Sequence, residues 1–147
     1  MMKRHAIVIA LVIGALGAAG ARAVACPSDE SHAATPQLKQ MSLSELDRLL
    51  EEKKVSVFDA NSEKTRAKFG VIPGAVLLSD IAKYPLDLLP SAKDQKLVFY
   101  CANTKCTASS IAAHRALEAG YADVAVLPDG IMGWKQAGKT TQAIPRS

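Results

Sequence analysis

The stretch Leu97-Val98-Phe99-Tyr100-Cys101-Ala102-Asn103-Thr104-Lys105-Cys106-Thr107-Ala108-Ser109-Ser110 decides how this chain is read. Its first four residues are apolar, aromatic or branched, which predicts a short buried strand. Thr107 to Ala119 predicts a helix. Ile111, Ala112 and Leu117 supply its apolar side, Thr107 or Ser109 can cap its start, and Gly120 can end it. Between strand and helix lies a tight loop that opens with a cysteine. Such a loop would surround the Cys101 sulfur with free backbone N–H groups at the positive end of the helix dipole. That setting lowers a thiol's pKa and suits either a nucleophilic thiolate or an anionic persulfide. The alternative is a buried structural cysteine at a strand end.

Working outward, three further segments fit one pattern. Val57-Phe58-Asp59-Ala60-Asn61 reads as a strand ending in an acid. Gly70-Val71-Ile72-Pro73-Gly74-Ala75 contains a turn in which proline presets φ and glycine accepts a positive φ. The segment from Gly120 to Trp134 holds a short strand, Val124 to Leu127, the turn Pro128-Asp129-Gly130 and the start of a last helix, Ile131 to Ala137. Together with the cysteine loop, in this order, the segments resemble a rhodanese domain over roughly residues 41–140. The first resembles the family's strand ending in Asp-Val-Arg, the second its Gly-His-Ile-Pro-Gly-Ala turn. The third resembles its closing strand, Gly-Gly turn and Trp-bearing helix. The chain departs from the family with Ala60 and Asn61 after Asp59, Val71 for the turn histidine, and Asp129 for a glycine. Asn61 in place of arginine predicts the loss of a framework ion pair, and Asp59 is expected to fix nearby backbone N–H groups.

The remaining chain divides simply. Lys3, Arg4 and His5 form a charged start, Ala6 to Ala21 is apolar and uncharged, and Ala23-Val24-Ala25 matches a small-x-small cleavage site. Residues 1–25 therefore predict a secretory signal, since the apolar run is shorter than the ~20 residues of a bilayer span. Cleavage after Ala25 leaves Cys26 first, as at a bacterial lipoprotein site, although Ala23 stands where lipoproteins usually carry leucine. A periplasmic protein is expected, with membrane attachment only if Cys26 is lipidated. Residues 26–40 are polar and read as a tether without fixed structure, with His32 solvated. The domain is expected over residues 41–147, opening with a capping box at Ser42 and Glu45 and an apolar face of Leu43, Leu46, Leu49 and Leu50.

Further predicted elements are a strand at Val55 to Asp59, a helix at Glu63 to Phe69 and a strand at Ala75 to Leu78. Tyr84 and Asp87 read as parts of a surface connection, Trp134 as core, and Gly138 onward as a fraying tail. The formal charge of +4 owes much to Lys3, Arg4 and Arg22; without them 15 basic residues face 14 acidic ones. That near balance gives no reason to expect a nucleic-acid partner.

The resemblance implies an α/β fold, a small parallel sheet flanked by helices with the active loop between a core strand and a helix N-terminus. It implies sulfur transfer in two half-reactions at Cys101, from a small anionic donor such as thiosulfate to a thiol or cyanide, with no metal or organic cofactor. Ala102, Asn103, Thr104, Lys105, Cys106 and Thr107 would form the anion-binding loop, supported by Asp59. Related phosphatases place arginine six residues after the cysteine, where this chain has Thr107, and no arginine occurs from Cys101 to Ser110. Cys106 is either a resolving thiol that closes a disulfide with Cys101 or a small residue packed in the first helical turn. Two further readings stay open: a dithiol–disulfide module, and a catalytically idle fold that binds a partner. A monomer is expected.

Overall fold

Parallel strands need long crossovers and cover on both faces, so their sequences run apolar without alternation. The chain meets both conditions. The computed structural model describes residues 38–144, all within the unit Ala34–Ser147; the leader, Cys26 and His32 lie outside them. Five strands, β1 (Lys39–Gln40), β2 (Ser56–Asp59), β3 (Val76–Leu77), β4 (Leu97–Tyr100) and β5 (Val124–Leu127), pair in the order β1-β5-β4-β2-β3. Every pairing is parallel. Helices α1 (Leu43–Glu51), α2 (Glu63–Phe69), α3 (Ala108–Glu118) and α4 (Gly130–Gln136) flank the sheet.

Side chains of a strand alternate between faces, and the two cores follow that alternation. Leu97 and Phe99 of β4 point to one face with Phe58, Val124 and Val126, under Ala112, Ala113 and Ala116 of α3. Three alanines let α3 sit close to the sheet. Val98 and Tyr100 point to the other face with Val57, Ala125 and Leu127, covered by Leu46 and Leu49 of α1 and by Ile131 and Trp134 of α4. Phe58 and Phe99, paired in register, stack with ring centroids 4.8 Å apart. All four residues of β4 are fully buried, so the strand that carries Cys101 is the best-anchored element of the sheet.

Three expectations need correction. Lys39 and Gln40, assigned to the tether, form the edge strand β1 beside Ala125 and Val126, and the Met41 amide donates to the Val126 carbonyl at 2.9 Å. The segment after Gly138 does not fray within the described residues. Val71 and Gln142 exchange backbone hydrogen bonds of 2.9 and 2.8 Å, and the Trp134 indole donates to the Thr140 carbonyl at 2.8 Å. Tyr84 belongs to the core rather than the surface: it is fully buried, and its hydroxyl donates to the Ala112 carbonyl at 2.8 Å. Burial pushes that phenol up to about 12. Among the described residues no helix is long and apolar enough to cross a membrane.

Candidate active site

Cys101 follows β4 directly and lies at the carboxyl edge of the sheet, where open α/β sheets bind their ligands. The loop from Cys101 to Thr107 is held from two sides. Inside it, Asn103 makes an Asx turn: its side-chain oxygen accepts from the Lys105 amide at 3.0 Å, and its carbonyl accepts from the Cys106 amide at 3.0 Å. From outside, the first turn of α4 supports it. The Ile131 amide donates to the Cys101 carbonyl at 2.9 Å and the Met132 amide to the Ala102 carbonyl at 3.0 Å. That approach requires glycine at 130. A β-carbon there would stand 2.4 Å from the Cys101 carbonyl oxygen, and the residue has φ +59°.

The two loop thiols are both free and differ in surroundings. Cys101 is 2% exposed; its thiol donates to the Cys106 carbonyl at 3.2 Å and lies 3.4 Å from the Ser109 hydroxyl. A carbonyl aimed at the sulfur favours the thiol over the thiolate. Burial, reinforced by the Cys106 thiol beside it, pushes Cys101 above the usual thiol value, against the bonds from Ser109. This reverses the expected depression at Cys101. Cys106, half-buried, has the lowered thiol. Its partial burial works the other way, but bonding with Cys101 and to the Ala102 and Ala108 backbone holds it down. The expected ring of amides is thus partly committed elsewhere: those of Lys105 and Cys106 go to Asn103. Thr104, Lys105 and Thr107 are exposed, while Ala102 and Asn103 are half-buried.

The Asp59 side chain holds a nearby backbone N–H and has partners the sequence reading did not identify. Its carboxylate is fully buried and accepts from the Asn61 amide at 2.7 Å, the Arg66 Nε at 3.1 Å and the Tyr100 hydroxyl at 2.5 Å. Arg66 also donates to the Asp59 and Leu78 carbonyls at 2.9 and 2.8 Å. Position 61 thus supplies no ion pair, as expected, but this strand end has a buried one, made by Arg66 of α2. Tyr100 in turn accepts from the Ile72 amide at 3.0 Å, tying the proline turn to β4. Burial first, then the neighbouring Asp59 charge, pushes the Tyr100 phenol far above its ordinary value. Asn61 itself is 7% exposed, and its Nδ2 has no hydrogen-bond partner.

Sequence reasoning left four contributors without their roles: Ser109, Arg66, Asn61 and Gly130. Gly130 carried a visible signal, a glycine closing a proline-bearing turn. Arg66 carried none beyond being a cation on a short helix. Asn61 was visible only as a departure from Asp-Val-Arg.

With this geometry in hand, the comparisons with known proteins are consistent. The rhodanese-like domain family matches residues 42–137, and the chain belongs to that family. Solved structures agree on the fold. A thiosulfate sulfurtransferase from Pseudomonas aeruginosa is 24% identical with a TM-score of 0.60, over 72% of this chain and 20% of that one. The rhodanese-like domain of an Anabaena sp. protein is 24% identical with a TM-score of 0.55, over 71% of this chain and 79% of that one. A Rhodopseudomonas palustris protein of unknown function, described as a possible tyrosine phosphatase, is 22% identical with a TM-score of 0.58, over 71% and 85%. A comparison with curated proteins gives no match.

Proposed function

We propose that the chain is an exported sulfurtransferase that moves sulfane sulfur from a small anionic donor such as thiosulfate to a thiol or cyanide acceptor, through a persulfide on Cys101. In the first half-reaction a thiolate attacks the sulfane sulfur, a new S–S bond forms, and sulfite leaves with the electron pair of the broken bond. In the second the acceptor attacks the outer sulfur and the cysteine sulfur regains its pair. Neither half needs an outside oxidant, metal or organic cofactor. The observation that supports this reading best is the position of Cys101, opening a braced loop at the carboxyl edge of the central strand and meeting the first turn of α3 at Ser109. A phosphatase reading gains no support from the site, because residues 101–110 contain no arginine to grip a phosphate. The charged, apolar and small-residue sequence of positions 1–25 supports export.

A thiosulfate:cyanide assay tests the proposal. Wild-type protein should turn over, and mass spectrometry should find it one sulfur atom heavier after donor alone. Cys101→Ser should lose turnover. Turnover that survives in this variant would remove Cys101 from the role. The same spectra read the processing at Cys26.

A further inference from the structure

Cys101 and Cys106 do not meet solvent alike. Cys101 is buried, with its thiol spent on the Cys106 carbonyl and the Ser109 hydroxyl. Cys106 lines a cavity of about 550 Å³ whose walls also include Ala60, Asn61, Ser62, Thr65 and Asp80. Cys101 does not line that cavity. Asn61 stands in its wall with more than nine-tenths of its surface buried and its Nδ2 unpartnered. Buried amide donors are nearly always satisfied; Nδ2 is itself covered, so a turn of the Asn61 side chain would bring this spare donor to a ligand oxygen in the cavity it lines. Asp80, a carboxylate in the wall, has its Oδ1 on the Ala82 and Lys83 amides at 2.8 and 2.9 Å, which keeps it an anion, so a donor must sit at the Asn61 and Cys106 side of the cavity.

We infer that Cys106 is the thiol that first meets the sulfur donor, with a donor oxygen taken by the Asn61 side chain in this cavity, and that the sulfur then passes to Cys101. This rests on the sulfur-transfer reading above. The Cys106 thiolate attacks the sulfane sulfur of thiosulfate; the S–S bond to Cys106 forms and sulfite leaves with the electron pair. Cys101 then attacks the terminal sulfur of that persulfide. The bond on Cys106 breaks, its electron pair returns to Cys106, and the Cys101 proton ends there. The terminal sulfur of the resulting Cys101 persulfide stands about 2 Å beyond the buried Sγ. An acceptor therefore reaches that outer sulfur more readily than a donor reaches the bare, buried thiol. The hydrogen bonding agrees: the Cys101 thiol donates to the Cys106 carbonyl, which favours its neutral form.

Two measurements on the reduced protein test this. In the first, thiosulfate is mixed with each variant, the reaction is quenched by alkylation, and the persulfide is located by peptide mapping. Cys101→Ser should take up sulfur on Cys106 at the wild-type rate and fail to turn over. Cys106→Ser and Cys106→Ala should load Cys101 at least about tenfold more slowly. Loading of Cys101 at the wild-type rate in both Cys106 variants would overturn the order of events and leave sulfur transfer intact. A wild type that takes no sulfur from either thiosulfate or glutathione persulfide would overturn both. Asn61→Ala should raise KM for thiosulfate with kcat held; an unchanged KM would overturn the assignment of that side chain. The second measurement needs no sulfur donor. Limited iodoacetamide labelling across a pH series should modify Cys106 first and from lower pH, because reactivity follows the thiolate. Prior labelling of Cys101 would overturn the inference.

Discussion

A carboxylate with no solvent contact persists only if its charge and lone pairs are all answered. Asp59 satisfies that condition with Arg66, Tyr100 and the Asn61 amide, and these bonds fix the end of β2. Arg66→Met strands a buried charge and should destabilise the protein by ~3–5 kcal/mol. Tyr100→Phe leaves the Asp59 carboxylate and the Ile72 amide each short of a partner and should cost ~1–3 kcal/mol per group. Urea denaturation reads both; a cost of only ~0–1 kcal/mol for Arg66→Met, as for an exposed pair, would show that water answers the charge instead. At this scale the sequence was partly legible. Cys101 falls where the strand-to-helix pattern placed it, because four apolar residues and a following helix define that edge. Its protonation preference was not legible, since that depends on the Cys106 carbonyl turning toward the sulfur, a matter of loop dihedrals. Arg66 was equally opaque: seven positions beyond Asp59, a helical arginine reads as a solvent-facing charge until the fold brings it back over the strand.

Elements position the loop through their ends. The first turn of α4 donates two amides into the loop's carbonyls and does so across a gap that admits no β-carbon. Gly130→Ala forces the backbone of Cys101 and Ala102 to move, and it should cost more than ~1 kcal/mol of stability and depress sulfur transfer in the molecules that remain folded. Gly120 is the matched control. It also has positive φ, +88°, but a β-carbon there would meet nothing within 4 Å. Gly120→Ala should therefore lose stability by ~1–2 kcal/mol and keep its specific activity. Equal losses of activity in the two variants, measured per folded molecule, would mean that the α4 contact does not set the loop's geometry. Elements with clear punctuation were readable: α2 and β5 span the predicted residues, bounded by Ser62 and Gly70 and by Pro128. The start of α3 was less so. Thr107 is its N-cap by position but has helical φ and ψ, −95° and −4°, and makes no side-chain cap bond. Its backbone follows the loop's closure on Cys101 instead of the usual extended cap.

For the described residues as a whole, closure depends on contacts too sparse in sequence signal to be foreseen. β1 is two residues long, too short for any periodicity to show, and its pairing is backbone to backbone. The tail after Gly138 is joined to the proline turn in the same way, by reciprocal bonds between Val71 and Gln142, residues far apart in the chain. Side-chain contacts reinforce it: Trp134 donates to Thr140, and Lys139 pairs with Asp47 of α1. Gly70 also belongs to this junction, since a β-carbon there would stand 2.9 Å from the Gln142 carbonyl oxygen. The tail thus ties α1, α4 and the turn after α2 on the sheet face opposite α3. Removing residues 140–147 takes away the bridge and the indole's partner while leaving Cys101 and its loop untouched. Exchanging the Thr140 acceptor of the Trp134 N–H for water should cost ~0.5–1.5 kcal/mol, with a further ~1 kcal/mol for each lost backbone bond. Because Trp134 is the chain's single tryptophan, its fluorescence reports the change directly and should shift to the red in the native truncated protein. The truncated protein should unfold at lower urea and keep its sulfur uptake below that midpoint. An unshifted emission with an unchanged midpoint would mean that α1, α4 and the proline turn hold together without the tail.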